Sequence, residues 1–302
     1  MHLPRRVVIA LSGPTYRLSL NTRLSVGMQR RLSELGAALL RPPRGTLVEH
    51  VYLGARSAER VTFGASHRPR AVLYLHGGGY VVGSARMYRA LSGYLARSSG
   101  AVVHTLDYRL APEHPYPAAL DDTVAAARAL ISEHGFAPER IALAGDSAGG
   151  GLAVATARRL TDEGIRVGAL ALLSPWTDPS DTDLPLRDFV VNRAWGTNCA
   201  DLYRGSTDRL EPGYAPMAGN LTGLPPMLIT TGAGEMLNGQ IKRFAARAEA
   251  AGNDVRLVEL PRLWHSGHVL AGMLRESTIA VQDAGIYLRS RIDVPVSSLQ
   301  PA

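Results

Sequence analysis

The chain has 302 residues, of which 46% are hydrophobic, so it is long enough for one large α/β domain or two small ones. No apolar run reaches the roughly 18–20 residues that cross a bilayer, which predicts no stable membrane insertion. The net charge of +7 comes almost entirely from arginines scattered along the chain without interleaved aromatics, so we expect a solvated surface and no nucleic-acid partner.

The N-terminal stretch begins with two arginines and a short apolar run, in the manner of a signal peptide. The run stops after five residues at Ser12-Gly13-Pro14, shorter than the ~7–15 residues of a signal core, so we expect it to remain in the mature protein. Farther on, apolar residues recur at helical spacing and end before Pro42, which predicts an amphipathic helix. These residues are Leu24, Met28, Leu32, Leu35 and Leu39.

From residue 47 onward, apolar strand-like runs alternate with helical periodicity. The strand candidates are Leu47–Leu53, Glu59–Phe63, Ala71–Leu75, Ala101–Tyr108, Arg140–Ala144, Gly168–Leu173, Pro226–Thr231 and Asp254–Leu260. The helix candidates are Ala118–His134, Ala148–Arg159, Gln240–Ala251 and His268–Arg291. Alternation of this kind predicts an α/β fold with a mostly parallel central sheet of about eight strands flanked by helices.

The segment from Trp176 to Leu224 interrupts this alternation. It is rich in Asp, Pro and Gly, carries scattered aromatics and is longer than an ordinary connection. We therefore expect residues 1–45 to form a helical cap to which residues 176–224 contribute. Residues 46–295 are expected to form the core α/β domain, and residues 296–302 a flexible tail.

Residues 145–149 read Gly-Asp-Ser-Ala-Gly between a predicted strand and a predicted helix. A Gly-x-Ser-x-Gly in this context is typical of a nucleophile elbow, a turn so tight that positions 145 and 149 cannot carry bulky side chains. The hydroxyl of Ser147 would then project above the edge of the sheet. The motif predicts acyl transfer with Ser147 as the nucleophile.

Acyl transfer also needs hydrogen-bond donors for the oxyanion. The sequence His-Gly-Gly-Gly-Tyr at residues 76–80 follows directly on a predicted strand, and consecutive glycines let amide hydrogens point into a cavity. We expect the amides of Gly77, Gly78 and Ala148 to be these donors. A flexible glycine-rich turn is the alternative interpretation. His76 is expected to shape the loop rather than to act as a base.

The general base and its orienting acid are expected after the serine in this type of fold. His265 lies in the loop after the last predicted strand and is favoured as the base over His268, which begins the next helix. Glu235 is the only carboxylate in the loop after the strand that ends at Thr231, and we expect it to hold the imidazole. Asp254 is the fallback, although it opens a strand at the opposite end of the sheet.

Several motifs together resemble those of the hormone-sensitive-lipase-like esterases, the bacterial lipase family IV of the α/β-hydrolase fold. They are His-Gly-Gly-Gly-Tyr at 76–80, Asp-Tyr-Arg-Leu-Ala-Pro-Glu-His-Pro-Tyr-Pro-Ala-Ala-Leu-Asp-Asp at 107–122, Gly-Asp-Ser-Ala-Gly-Gly at 145–150, Ser-Pro-Trp-Thr-Asp at 174–178 and Trp-His at 264–265. The resemblance covers about residues 45–290. It implies an α/β-hydrolase with the catalytic triad Ser147, Glu235 and His265 and with no metal or cofactor.

Further expectations concern residues next to these motifs. The residues expected at the substrate site are His76, Gly79, Tyr80 and Asp146. Arg109 and Glu113 are expected to brace the loop beneath the site. Two positions depart from the family pattern. Asn238 stands where an acidic residue is usual, three positions after the triad acid, and no bulky residue precedes His268.

The resemblance implies a serine carboxylesterase that forms an acyl-enzyme on a small-molecule ester. Family members with an N-terminal cap of this size mostly favour short to medium acyl chains, so we expect such esters as substrates. One alternative is an acetyl hydrolase or deacetylase acting on an acetylated secondary metabolite or xenobiotic. A non-catalytic receptor is another, but such proteins typically lose the histidine base, present here as His265. The single Cys199 fits a cytoplasmic location, and a homodimer through the last strand is common among similar proteins.

Overall fold

The computed structural model describes residues 2–64 and 69–293, and within these ranges eight strands form one sheet. The strands are β1 Thr46–Leu53, β2 Arg56–Phe63, β3 Ala71–Leu75, β4 Val102–Leu106, β5 Ile141–Asp146, β6 Ala169–Leu173, β7 Met227–Gly232 and β8 Val255–Leu260. Their order in the sheet is β1-β2-β4-β3-β5-β6-β7-β8. β2 pairs antiparallel with β1 and β4, and the other pairings are parallel. The prediction of a mostly parallel sheet is confirmed.

The described ranges also contain eight α-helices, interspersed with short 3₁₀ turns. The helices are α1 Arg5–Ser19, α2 Val26–Ala37, α3 Arg89–Ser99, α4 Ala118–Ser132, α5 Ala148–Asp162, α6 Arg193–Arg204, α7 Asn238–Ala250 and α8 Arg275–Ile292. Each helix in these parts of the chain is too short or too polar to span a membrane.

The central strands β3 to β7 are buried along their whole length, because helices cover both faces of the sheet. Side chains alternate between the two faces: Val72 and Tyr74 pack in a core with α3 and α8, whereas Leu73 and Leu75 pack with α4 and α5. Parallel pairing brings the carboxyl ends of these strands to one edge. The loops that follow β3, β5, β7 and β8 meet there.

The sequence patterns predict neither α1, α3 nor α6. Gly13-Pro14 lies inside α1 and would ordinarily end a helix. The helix predicted from His268 begins only at Arg275, after a 3₁₀ turn at Gly267–Leu270. Residues of α1, α2 and α6 wall a cavity that also contains Ser147, so these three helices cover the carboxyl edge of the sheet. The tail predicted for residues 296–302 lies outside the described residues.

Candidate active site

Ser147 lies in the turn between the end of β5 and the start of α5. Its backbone has φ 51° and ψ −121°, a strained conformation for a residue other than glycine. A Cβ on Gly149 would lie 1.9 Å from the carbonyl oxygen of Leu75, and one on Gly145 would lie 2.4 Å from the carbonyl oxygen of Gly149. Both positions therefore require glycine, and the tight turn presents Ser147 at the N-terminus of α5.

The structure brings Ser147, His265 and Glu235 together from three separate loops. His265 Nε2 lies 2.8 Å from Ser147 Oγ, and His265 Nδ1 lies 3.3 Å from Glu235 Oε2. All three side chains are buried, so little water competes for these contacts. The arrangement suits an imidazole that is protonated at Nδ1, donates to Glu235 and accepts from the serine hydroxyl.

The carboxylate of Glu235 is held by a second set of polar groups. Its Oε1 accepts a hydrogen bond from Thr231 Oγ1 at 2.5 Å. Asn238 Nδ2 lies 3.2 Å from Thr231 Oγ1, 3.0 Å from the carbonyl oxygen of Gly232 and 3.0 Å from Glu259 Oε1. Because the carboxylate of Glu235 can only accept, the Thr231 hydroxyl donates to it, and the Thr231 oxygen can accept in turn from Asn238. The departure from the family pattern at position 238 therefore supplies a donor instead of a second carboxylate.

His265 and Glu235 shift each other's pKa. Burial by itself would lower the pKa of His265, but the hydrogen bond and the charge of Glu235 outweigh it and raise this pKa above the usual 6.5. Burial by itself would raise the pKa of Glu235, but its interactions with His265 and Thr231 lower it below the usual 4.5. Glu235 is thus an anion that stabilises the imidazolium, and His265 is a stronger base than a free imidazole.

The two alternative residues lie away from the serine hydroxyl. His268 Nε2 lies 3.1 Å from Thr230 Oγ1, and burial lowers the pKa of His268 to about 4, which keeps its ring neutral. Asp254 immediately precedes β8, at the end of that strand remote from His265, and pairs with Arg291 at 2.7 Å. These positions leave His265 and Glu235 as the groups that can act on Ser147.

Asp146, which precedes the nucleophile, fixes the loop that carries the predicted oxyanion donors. Its buried carboxylate accepts hydrogen bonds from the Tyr74 hydroxyl at 3.0 Å, the Tyr88 hydroxyl at 3.1 Å and the Gly77 amide at 2.9 Å. Burial raises the pKa of Asp146, and these donors oppose the rise. The Gly77 amide is engaged inside the protein, so the expectation that it donates to an oxyanion does not fit this geometry.

Three other amides at this edge are free to donate. Those of Gly78, Gly79 and Ala148 have no protein acceptor within the parts of the chain that the structure describes. Gly78 and Gly79 have φ angles of 106° and 62°, in the region that favours glycine. A Cβ on Gly79 would also lie 2.9 Å from Cys199 Sγ, so α6 packs directly against this loop. Gly79 thus joins Gly78 and Ala148 in the set of free donors, in place of Gly77.

Known proteins are similar to this chain in both sequence and fold. A family model of the α/β-hydrolase fold matches residues 72–269. An acetyl-hydrolase of Streptomyces hygroscopicus is 41% identical over 73% of this chain and 76% of its own, and the esterase LipU of Mycobacterium tuberculosis is 34% identical over 84% and 90%. The crystal structure of an esterase from the bacterial hormone-sensitive lipase family is 35% identical, with a TM-score of 0.89 over 96% of this chain and 99% of that one. The chain belongs to the hormone-sensitive lipase family.

As a member of the hormone-sensitive lipase family, the protein is a carboxylic-ester hydrolase. Two cavities, of about 150 Å³ and about 30 Å³, border both Ser147 and His265. The larger is walled mainly by apolar side chains from α1, α2 and the loop after β8. The smaller lies against Trp176, Leu184 and Met236. Among the described residues, no three His, Cys, Asp or Glu side chains are grouped to hold a metal ion.

The residues expected at the substrate site of this esterase divide into two pairs. Those that line a cavity are Gly79 and Asp146. His76 and Tyr80 are buried, and neither lines one of the two cavities beside Ser147. The His76 ring stacks on Tyr108 with the centroids 4.3 Å apart, and Tyr80 stacks on Tyr203 at 3.7 Å. Both rings support the loop from below, and the expectation that they contact substrate stays a prediction.

Arg109 and Glu113 brace different parts of the same region. The Arg109 guanidinium contacts both carboxylate oxygens of Asp122 at 2.8 to 3.0 Å. Glu113 accepts from Arg30 of α2 at 2.7 Å, and Arg30 Nε also donates to the carbonyl oxygen of Val81 at 2.9 Å. Arg30 thus connects α2 both to Glu113 and to Val81, just after the glycine loop at 76–80. The N-terminal sequence contains no motif that would have identified Arg30.

Proposed function

We propose that the protein hydrolyses short- to medium-chain carboxylic esters through an acyl-enzyme formed on Ser147. The observation that carries the proposal is the hydrogen-bonded path from Ser147 through His265 to Glu235, with steps of 2.8 Å and 3.3 Å. A serine hydroxyl is a weak nucleophile and needs an adjacent base, itself oriented by a third group. The path provides both.

The proposed reaction has two halves. Ser147 Oγ attacks the ester carbonyl carbon while His265 Nε2 takes the hydroxyl proton, and the amides of Gly78, Gly79 and Ala148 donate to the resulting oxyanion. The carbon–oxygen bond to the alcohol then breaks, and His265 returns its proton to the leaving oxygen. In the second half, His265 takes a proton from water, the hydroxide adds to the acyl carbon, and Ser147 leaves with that proton as the acid is released.

Residues 1–45 and 176–224 form the cap in this proposal, and residues 46–295 the catalytic domain. In support, the walls of the larger cavity come from α1, α2 and Trp195 of α6 as well as from Ser147 and His265. The cap then sets how much room the two halves of an ester have on either side of the serine.

A second candidate is the hydrolysis of acetyl esters of bulky alcohols, such as an acetylated secondary metabolite or xenobiotic. The cavity of about 30 Å³ beside Ser147 and His265 favours it. A two-carbon acyl group would suit that space and leave the cavity of about 150 Å³ for a large alcohol. One of the relatives is named an acetyl-hydrolase, which is compatible with this candidate.

Replacing the nucleophile tests the mechanism. In Ser147→Ala we expect kcat for p-nitrophenyl butyrate to fall on the order of 10⁶-fold with the fold intact, because no other hydroxyl can form the acyl-enzyme. Circular dichroism is the control for folding. Mass spectrometry should show one phosphonate attached to the wild-type protein and none to the variant. Unchanged turnover by Ser147→Ala would remove the proposal.

The acyl series from acetate to palmitate tests the substrate class. We expect kcat/KM for p-nitrophenyl acetate or butyrate to exceed that for palmitate, because both cavities are small. A maximum at acetate, with a further gain when the alcohol is enlarged, would favour the acetyl-ester candidate. A maximum at palmitate would contradict both.

Location and assembly form the last part of the proposal. We expect a cytoplasmic enzyme, in line with a single cysteine that is buried and unpaired. We also expect a homodimer through β8, an edge strand whose single neighbour in the described sheet is β7. Size-exclusion chromatography with light scattering measures the mass, and a monomer at all concentrations would contradict the dimer.

A further inference from the structure

The positive charge of the chain is concentrated at one end of the sequence. Residues 1–45 contain eight arginines and one glutamate, whereas the remaining residues contain twenty-five basic and twenty-five acidic side chains. The whole formal net charge of +7 therefore resides in the segment that carries α1 and α2. The arginines are scattered over the sequence, as expected, but the charge that acidic residues do not balance is not.

Six arginines of this segment project into solvent without a partner. They are exposed, and no carboxylate of the described residues lies within ion-pair distance of any of them. The six are Arg6, Arg17, Arg23, Arg31, Arg41 and Arg44. Arg30, by contrast, is taken up by Glu113. The N-terminal segment thus presents charge that nothing within the described chain neutralises.

The same segment exposes apolar side chains where a helix in water would bury them. In α2, Leu35 is 69% exposed and Leu39, just beyond the helix, 66%, whereas the polar Gln29 and Ser33 face inward at 2% and 9%. Gln29 accepts a hydrogen bond from Trp195 Nε1 at 2.8 Å, which fixes the polar side of α2 toward the protein. Of the apolar stripe that predicted an amphipathic helix, Met28, Leu35 and Leu39 therefore face outward, whereas Leu24 and Leu32 are half-buried.

Helix α1 buries Val8 but also exposes apolar side chains. Val7, Leu11 and Leu18 are 38%, 51% and 55% exposed, and their spacing of four and seven residues places them on one stripe of the helix. Leu11 and Leu39 both line the mouth of the larger cavity, so the stripes of α1 and α2 converge there. The two helices form one surface, here called the cap surface, that combines exposed leucines with unpaired arginines.

We propose that the cap surface docks on a lipid bilayer rich in anionic phospholipids. Leucines that enter the acyl boundary and arginines that reach the phosphates are the two contributions by which interfacial helices bind. A second copy of the chain does not fit, because two such surfaces would repel each other. Nucleic acid does not fit either, because exposed leucines find no partner on a phosphate backbone.

Docking would place the mouth of the larger cavity at the lipid surface. An ester dissolved in the bilayer could then reach Ser147 between Leu11 and Leu39 without crossing water. This consequence rests on the proposed function, whereas the docking itself does not. Helices that lie on a bilayer need not span it.

Vesicle co-sedimentation of the full chain tests the docking, with vesicles of phosphatidylcholine alone and of phosphatidylcholine mixed with phosphatidylglycerol. We expect binding only to the mixed vesicles, and weaker binding as salt is raised. Arg17→Gln/Arg31→Gln should bind roughly twenty-five-fold more weakly, since each arginine near an anionic surface contributes about fivefold. Leu18→Ser/Leu35→Ser should also lose binding. None of these four residues lines either cavity, so turnover of soluble p-nitrophenyl butyrate should not change.

Matched controls separate the cap surface from any exposed arginine or leucine. Arg166→Gln/Arg247→Gln and Leu210→Ser/Ile286→Ser alter equally accessible residues elsewhere and should bind the vesicles like the wild type. Ser147→Ala should bind normally, which keeps the docking test independent of the esterase proposal. Equal binding to both vesicle types, absence of binding, or loss of binding in the controls would overturn the proposal. Tight binding to duplex DNA that only the arginine variant loses would also overturn it.

Discussion

The turn at Ser147 and the helix pair α1–α2 differ in how strongly contacts within the chain restrict their residues. In the turn, each small residue is fixed by a particular neighbour, as when a Cβ on Gly149 would lie 1.9 Å from a backbone oxygen. In α2, Leu35 is exposed and Gln29 is buried, and the orientation of the helix depends on side-chain contacts such as that of Gln29 with Trp195. Contacts within the chain therefore determine the first region, whereas the exposed apolar side chains of the second are explained by the docking proposed above.

The largest difference between the two regions is expected when one glycine in each is replaced by alanine. Gly149→Ala should cost roughly 4 kcal/mol or more of unfolding free energy and abolish activity, because the turn cannot close. Gly27→Ala, in α2, should gain about 0.5 kcal/mol, since a Cβ there meets no atom within 4 Å. Urea unfolding and esterase turnover measure both. A stable, active Gly149→Ala would refute the view that contacts within the chain fix the turn.

A smaller loss of activity is expected from replacing Glu235, in the loop after β7. Glu235→Gln should lower kcat roughly 10⁴-fold, because the uncharged amide no longer stabilises the imidazolium or its tautomer. The fold should persist, as thermal unfolding would show. A loss of tenfold or less would mean that Glu235 does not orient the base.

The pH dependence of activity tests whether Glu235 raises the pKa of His265. Activity requires neutral His265, so kcat/KM should fall as pH decreases through the pKa of His265, which Glu235 raises above 6.5. Removing the carboxylate charge lowers that pKa, and the acid limb of the Glu235→Gln profile should move to lower pH. The full pH–rate profiles of the wild type and Glu235→Gln measure this shift. A limb that moves upward would contradict the assigned interaction.

The smallest effect concerns Asn238. Asn238→Ala removes the donor to the Thr231 hydroxyl that contacts Glu235, so we expect kcat to fall about tenfold with KM unchanged. Its acid limb should shift as well, which a merely structural defect would not cause. Asn198→Ala, at an exposed position of α6, is the matched control and should behave as wild type. An Asn238→Ala profile that equals wild type would show that Thr231 orients itself.

Local patterns made much of the catalytic region predictable. Glycines at 145 and 149 around a serine, placed between an apolar strand and a helix, admit few other backbone geometries, and the order of serine, acid and histidine follows the loops at one edge of the sheet. The buried strands were equally predictable, because sheets covered on both faces leave continuous apolar runs. The turn and the strands depend on residues close to one another in sequence, and the order of the triad follows from the fold type that they indicate.

The remainder depends on pairings distant in sequence. Nothing near Tyr74 or Tyr88 indicates that both hydroxyls reach Asp146, and the engagement of the Gly77 amide follows from that pairing. The leucine stripe of α2 predicted a helix correctly but not which side it buries, since that depends on Gln29 meeting Trp195. Charge counted for the chain as a whole likewise concealed its concentration in the first forty-five residues.

The carboxylate of Asp146 connects the turn that carries Ser147 with the glycine loop at 76–80. Asp146 is the last residue of β5 and directly precedes Ser147, yet its carboxylate accepts from Gly77 and Tyr88, which belong to another stretch of the chain. The spacing between the Ser147 hydroxyl and the amides proposed as oxyanion donors is therefore set before any ester arrives. A glycine loop grafted from another enzyme would need hydroxyl donors at the places of Tyr74 and Tyr88. Without them, the loop would lose its alignment with Ser147.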